Sequence, residues 1–193
     1  MDQIQMEIGV PVFGFRLLQL EVGVNLNLTN NNFTSKDVIG GLLLHIRKPF
    51  QSQYTKSEGS YKVCKHNRYL FKIYDKGMHR RNKDSGFDKD ILRIEIAFKK
   101  MRDLNNLGIF NVNDLVNFDF NSFKSLLLNK WSRLLLFDKK ALKGCKNEYL
   151  YSNLRWWQER SVGGFKYHKG ILNNLSLKKE LTQILETKID ELI

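Results

Sequence analysis

The stretch YLFKIYDK, Tyr69 to Lys76, alternates along its length, with Tyr69, Phe71 and Ile73 on one side and Leu70, Lys72 and Tyr74 on the other. Successive side chains of a strand point to opposite faces, so this pattern predicts a strand with one apolar face. A second stretch, ILRIEIAF from Ile91 to Phe98, repeats it, with Leu92, Ile94, Ile96 and Phe98 against Arg93, Glu95 and Ala97. The two predict an antiparallel pair. Asp75-Lys76-Gly77 ends the first strand, and Met78 to Asp90 reads as a long charged loop.

Upstream, Phe15 to Leu28 reads as one or two strands, because Leu20, Val22, Val24, Leu26 and Leu28 share a face and Glu21, Gly23, Asn25 and Asn27 share the other. Asn30-Asn31-Asn32 marks a turn. Ser35 is placed to cap a short helix, Val38 to Ile46 reads as strand or helix, and Gln51 to Ser60 as a polar loop. Downstream the period changes. Lys99 to Leu107 reads as a helix stopped by Gly108, and Asn113 to Asn117 as a helical turn. Three longer helices follow: Asn121 to Phe137, Asn147 to Glu159 broken by Gly163-Gly164, and Leu177 to Ile193 capped by Ser176. The fold class is α+β: an antiparallel sheet with a long charged hairpin connection, then a helical C-terminal half. Residues 1–110 form the sheet-rich region and 111–193 the helical region.

The chain has 193 residues and a formal net charge of +12, with 42% hydrophobic and 12% aromatic residues. That is enough apolar material for a core and excludes a disordered chain. Between Tyr61 and Arg102 stand 13 Lys and Arg against 5 Asp and Glu, a net of +8. A basic cluster interleaved with aromatics favours a polyanionic partner, nucleic acid before a membrane surface. No apolar run approaches the roughly 18 residues of a membrane span, and Met1-Asp2-Gln3-Ile4 lacks the positive n-region of a secretory signal. Cys64 and Cys145 make neither a disulfide framework nor, alone, a zinc site; they read as reduced thiols, which places the chain in the cytoplasm.

The period of two puts Lys72, Tyr74 and Lys76 on one face, and Arg93 and Glu95 on one face of the next strand. A tyrosine among cations ionises more easily than a free phenol of pKa ~10. A carboxylate beside it can hold a hard divalent ion. These are parts for phosphoryl transfer to tyrosine. The same residues also suit a cross-strand cluster that only stabilises the sheet.

FKIYDKGMHRR (Phe71 to Arg81) followed by LRIEIAFKKMRDL (Leu92 to Leu104) resembles a motif pair of replication initiators from rolling-circle plasmids and from filamentous and related single-stranded-DNA phages. Leu107-Gly108-Ile109 and Asp114-Leu115 are similar to the segment that follows in that family. LEVGVNLNL (Leu20 to Leu28) resembles an earlier strand, and Asn147 to Lys169 the helical tail. The resemblance implies a nickase and strand transferase that attacks single-stranded origin DNA through a tyrosine, with magnesium or manganese as cofactor. It makes Tyr74 the nucleophile, Lys76 a catalytic phosphate contact and Glu95 a metal ligand. Glu21 and His66 are further candidates for the metal. Lys72, Arg80, Arg81, Lys83 and Arg93 are the expected DNA contacts, with the Met78 to Lys83 loop as a phosphate-gripping element. The His-apolar-His motif of the better-known relatives is not present, since no two of His45, His66, His79 and His168 stand one residue apart.

His45, inside an apolar run, reads as a hydrogen-bonded core histidine, and both cysteines as inert small side chains. Trp156-Trp157 offers a stacking surface for unpaired bases, with at least one ring in the core. Two other functions fit the same residues: a non-catalytic DNA-binding or replication-regulating protein, and a module whose helical half docks a host helicase or polymerase.

Overall fold

The computed structural model describes residues 15–55, 59–81, 83–116, 118–119 and 121–192. The N-terminal stretch through Gly14 and the loop residues 56–58 lie outside these. Among the described residues the strands are β1 (Leu20–Asn27), β2 (Leu42–His45), β3 (Lys48–Pro49), β4 (Gln51–Thr55), β5 (Gly59–Lys65), β6 (Tyr69–Asp75), β7 (Ile91–Phe98) and β8 (Leu134–Leu136). The helices are α1 (Ser35–Gly41), α2 (Lys76–Arg81), α3 (Arg102–Asn105), α4 (Val112–Val116), α5 (Asn121–Ser132), α6 (Lys139–Leu142), α7 (Glu148–Ser152), α8 (Leu154–Glu159), α9 (Val162–Asn173) and α10 (Ser176–Asp190).

The expected α+β class holds. A five-stranded antiparallel sheet runs in the order β1-β7-β6-β5-β4, and a three-stranded sheet in the order β3-β2-β8. The expected pairing is direct: Phe71 lies opposite Ile96, Lys72 opposite Glu95 and Tyr74 opposite Arg93. Leu26, Phe71, Ile73, Leu92, Ile94 and Phe98 are buried on the inner face, against Phe123, Leu127 and Trp131 of α5 and Leu181, Leu185 and Ile189 of α10. Burying each such side chain contributes about 1.5–3 kcal/mol, far more than any surface pair in this molecule can. A second cluster, including Leu44, Leu135, Trp157 and Leu172, packs α8 and α9 under the small sheet.

Several boundaries differ from the sequence reading, each for an identifiable reason. Gln51–Thr55 is an edge strand rather than loop, because Gln51, Ser52 and Tyr54 stay exposed while the backbone pairs with β5. Lys76–Arg81 is helical rather than loop, because the Asp75 carboxylate accepts from the Met78 amide at 2.7 Å and so caps the first turn. A Cβ at Gly77 would meet the Lys89 carbonyl oxygen at 2.4 Å, so only glycine lets the following connection pack back. Thr34, not Ser35, caps α1 through a reciprocal pair with Asp37, and the Ser35 hydroxyl bonds Asp90 instead. The helix expected through Phe137 stops at Ser132, and Leu134–Leu136 extends to pair with β2. Gly163 and Gly164 do not break a helix. They form the first turn of α9 behind a Ser161 cap, and the break falls earlier, at Arg160. Ser176 begins α10, but its cap position is Leu175 without a side-chain bond.

α10 carries one costly group. Lys178 is buried, its Nζ donating to the Trp131 carbonyl at 2.8 Å and lying 3.9 Å from the Trp131 ring centroid. Burial, with the charge of Lys169 adding to it, holds this amine well below its usual value. The unfolded chain takes up the proton that the folded chain refuses, so stability is lost as pH falls from 10.5. Lys178→Met is therefore expected to raise stability by about 1–2 kcal/mol at neutral pH in urea titrations. The gain over the parent protein is expected to be larger at pH 6 than at pH 9.

Candidate active site on the outer sheet face

The face of the large sheet opposite the helical core gathers four of the sequence-derived residues. Glu95 on β7 is almost fully buried, its side chain 4% exposed. Its Oε1 accepts from Lys72 Nζ at 3.1 Å, and its Oε2 accepts from Arg93 Nε at 2.9 Å and from the Tyr74 hydroxyl at 3.4 Å. Arg93 also donates to Asn25 Oδ1 at 3.3 Å, reaching onto β1. Gly23 lies opposite Glu95 on that strand, and a Cβ there would stand 3.1 Å from the Arg93 guanidinium, so the glycine gives the arginine its room. Tyr74 itself is buried among these groups. Tyr61 lies opposite it on β5 and donates to Gln53 at 2.7 Å.

The electrostatics follow from this packing. Burial alone raises the Glu95 carboxyl, but hydrogen bonds from Arg93 and Lys72 and their charges outweigh it, and the pKa sits below the usual value. Tyr69, by contrast, belongs to the inner face, where burial pushes its phenol up to about 12.

The remaining expected residues are dispersed. Lys76 is not on the strand face; it opens α2, and its Nζ stands 6.0 Å from the Tyr74 ring centroid. Arg81 is tied down by an ion pair to Asp75 at 3.1 Å and by the Lys89 carbonyl. Arg80 is exposed and lies over the Phe87 ring, and Lys83 is exposed beyond it. The segment expected as a phosphate-gripping loop is thus helical through Arg81, with one of its two arginines already paired. Glu21 shares the outer face, but it sits opposite Ala97 and its carboxylate bonds Gln19.

His66 does not join Glu95. Its ring stacks on Tyr69 on the inner side, and its Nε2 meets His45 Nδ1 at 2.8 Å and Cys64 Sγ at 3.4 Å. His45 is a buried histidine as expected, with Nε2 on the Lys130 carbonyl at 3.0 Å. Burial, with the neighbouring cations, pushes His45 to about 3 and His66 to about 4, while burial pushes the Cys64 thiol up to about 11. Cys64 near the end of β5 and His66 just after it are two apart, a signal visible in the sequence. His45 comes from the other sheet, and no spacing rule reaches it.

Neither family models, nor curated proteins, nor solved structures give a match to this chain. Among the described residues, no helix is long and apolar enough to cross a membrane.

The ion-pair cluster makes a direct expectation. Glu95→Gln leaves Lys72 and Arg93 beside a neutral group. Because those cations are 22% and 26% exposed, the cost is expected to be about 1–2 kcal/mol at pH 7, below that of a fully buried pair. The carboxylate's contribution is present above 4.5 and lost as pH falls through its lower folded value. Urea midpoints of parent and variant should therefore converge in acid.

Proposed function

We propose that this chain is a tyrosine-type single-strand DNA endonuclease and strand transferase, a replication initiator of the rolling-circle phage and plasmid kind acting in the bacterial cytoplasm. The observation that carries the reading is the Tyr74 hydroxyl bonded to Glu95 between two cations. A phosphodiester arriving at this face competes for Lys72 and Arg93, which suit its oxygens. As they turn to the phosphate, the influences that depress Glu95 are removed and burial dominates, so the carboxylate becomes a better proton acceptor. The Tyr74 proton then passes to Glu95 Oε2, the phenolate oxygen bonds to phosphorus, and the bond to the 3′ oxygen breaks; that oxygen takes a proton from solvent, and Glu95 releases its own to solvent. The product is a 5′-phosphotyrosine and a strand with a free 3′-hydroxyl.

Magnesium or manganese fits this face only in part. Glu21 is the carboxylate left to such an ion alongside phosphate oxygens, because both Glu95 oxygens are bonded by Lys72, Arg93 and Tyr74 and Glu95 takes the Tyr74 proton. When bound, it neutralises charge on the scissile phosphate. Arg80 and Lys83 extend the cationic surface along the strand, and the helical half is the natural surface for a host helicase or polymerase.

The test is Tyr74→Phe, which removes the hydroxyl and its bond to Glu95 but almost no volume, so stability should change by about 1 kcal/mol. On labelled origin single strands with a divalent ion, the parent is expected to form a covalent adduct on a denaturing gel, and the variant to bind without one. An adduct that persists in Tyr74→Phe and vanishes in Tyr61→Phe would move the nucleophile one strand over. A second reading, a non-catalytic DNA-binding protein on the same fold, draws support from the burial of Tyr74 and the full pairing of Glu95. It predicts salt-sensitive binding, with a log-log slope of about −0.7 per phosphate contacted, and no adduct from any version.

A further inference from the structure

A second cluster lies on the other side of the large sheet. Cys64 is directed inward from β5, His66 follows it at the β5–β6 turn, and His45 closes β2 in the small sheet. The His45 Nδ1, Cys64 Sγ and His66 Nε2 atoms all lie within 4.8 Å of one another. We infer that these three side chains form a metal site for a borderline-soft divalent ion such as zinc, and that the ion clamps the small sheet onto the large one.

Three features carry this. The first is spacing. A tetrahedral zinc needs nitrogen ligands about 3.3 Å apart and nitrogen–sulfur pairs about 3.6 Å apart, given its bond lengths. The observed 2.8 Å between the histidine nitrogens and 3.4 Å between Cys64 Sγ and His66 Nε2 are already near those values. The third side, His45 to Cys64, lies within the 4.8 Å span of the cluster, and an ion would draw it to about 3.6 Å while the two histidine nitrogens part. The second feature is orientation. A carbonyl can only accept, so His45 Nε2 carries the proton it donates to Lys130, which leaves Nδ1 as a lone pair aimed at the cluster. A backbone carbonyl fixing the far nitrogen of a histidine ligand is the usual outer support of a metal site. The Tyr69 ring stacked on His66 fixes that ring in the same way.

The third feature is chemistry. One thiolate and two imidazoles suit zinc or a similar transition ion and not magnesium, so this site differs in kind from any hard-ion site on the outer sheet face. Lys48 and Lys130 act on His66 with positive charge, so the thiolate is the necessary counter-charge of the set. On binding, the Cys64 thiol loses its proton to solvent and the His66 proton shifts to its other nitrogen, leaving three lone pairs on the ion. Three protein ligands leave the fourth position for water.

Cobalt(II) on the chelator-treated full chain is the probe, in a Cys145→Ser background that removes the exposed thiol. One cobalt per chain is expected, with a sulfur-to-cobalt charge-transfer band and the visible bands of tetrahedral coordination, both abolished by one equivalent of zinc. Zinc at a hundredfold excess over its Kd should raise the melting temperature by about 5–10 °C. Cys64→Ser should lose the charge-transfer band. If that variant does not fold, His66→Gln, at the half-exposed edge of the cluster, serves instead; it should stay folded by circular dichroism and bind cobalt at least tenfold more weakly. A folded parent without a sulfur-to-cobalt band overturns the inference, as does a band that survives in folded Cys64→Ser. Unchanged cobalt affinity in His66→Gln overturns it equally.

Discussion

The register between β6 and β7 is the constraint on which the rest of the molecule depends. Pairing Phe71 with Ile96 and Ile73 with Ile94 aligns the apolar faces of both strands over α5 and α10. The same pairing sets Lys72 against Glu95 and Tyr74 against Arg93 on the outer side. A slip of one residue would turn the apolar face of the slipped strand outward and carry its Lys72 or Arg93 into the core. The hydrophobic term therefore selects the register, and the polar cluster follows from it. Glu95 adds little net stability of its own, because two cations have to offset the cost of burying its charge.

That arrangement separates two chemistries on the two faces of one sheet. Outside, a carboxylate, two cations and a tyrosine form a compact hydrogen-bonded group suited to an anionic phosphate. Inside, uncharged imidazoles and a thiol meet behind Tyr69, where burial disfavours charge on each of them. His66 belongs to the second group, although its basic sequence surroundings point toward the first. Strand direction decides this. Cys64 and His66 alternate with Lys65, which takes the outer face in register with Leu70.

The N-terminal and C-terminal regions are not independent layers. β8, from the helical half, completes the small sheet beside β2, and α10 packs along β1 on the large one. The Lys140 ammonium reaches back to Asp37 at 3.0 Å and to the Asn32 carbonyl at 2.9 Å. These ties are mostly apolar contact with a few polar anchors, the usual balance in a core of this size.

The sequence by itself determined the α+β class, the antiparallel pairing of the two central strands and the shared face of Lys72, Tyr74, Arg93 and Glu95. All of these rest on the strict period of two, a local property that neighbours along the chain cannot change. It also marked the apolar stripe of α10, through Leu181, Leu185 and Ile189. Only the tertiary structure decided that Leu134–Leu136 is a strand, because its pairing partner lies about ninety residues away in β2. It also set how the Lys76–Arg81 helix docks, with Arg81 on the Lys89 carbonyl and that carbonyl close enough to residue 77 that only glycine fits. And it alone brought His45 to Cys64 and His66, since two sheets packing together set that meeting and no spacing along the chain encodes it.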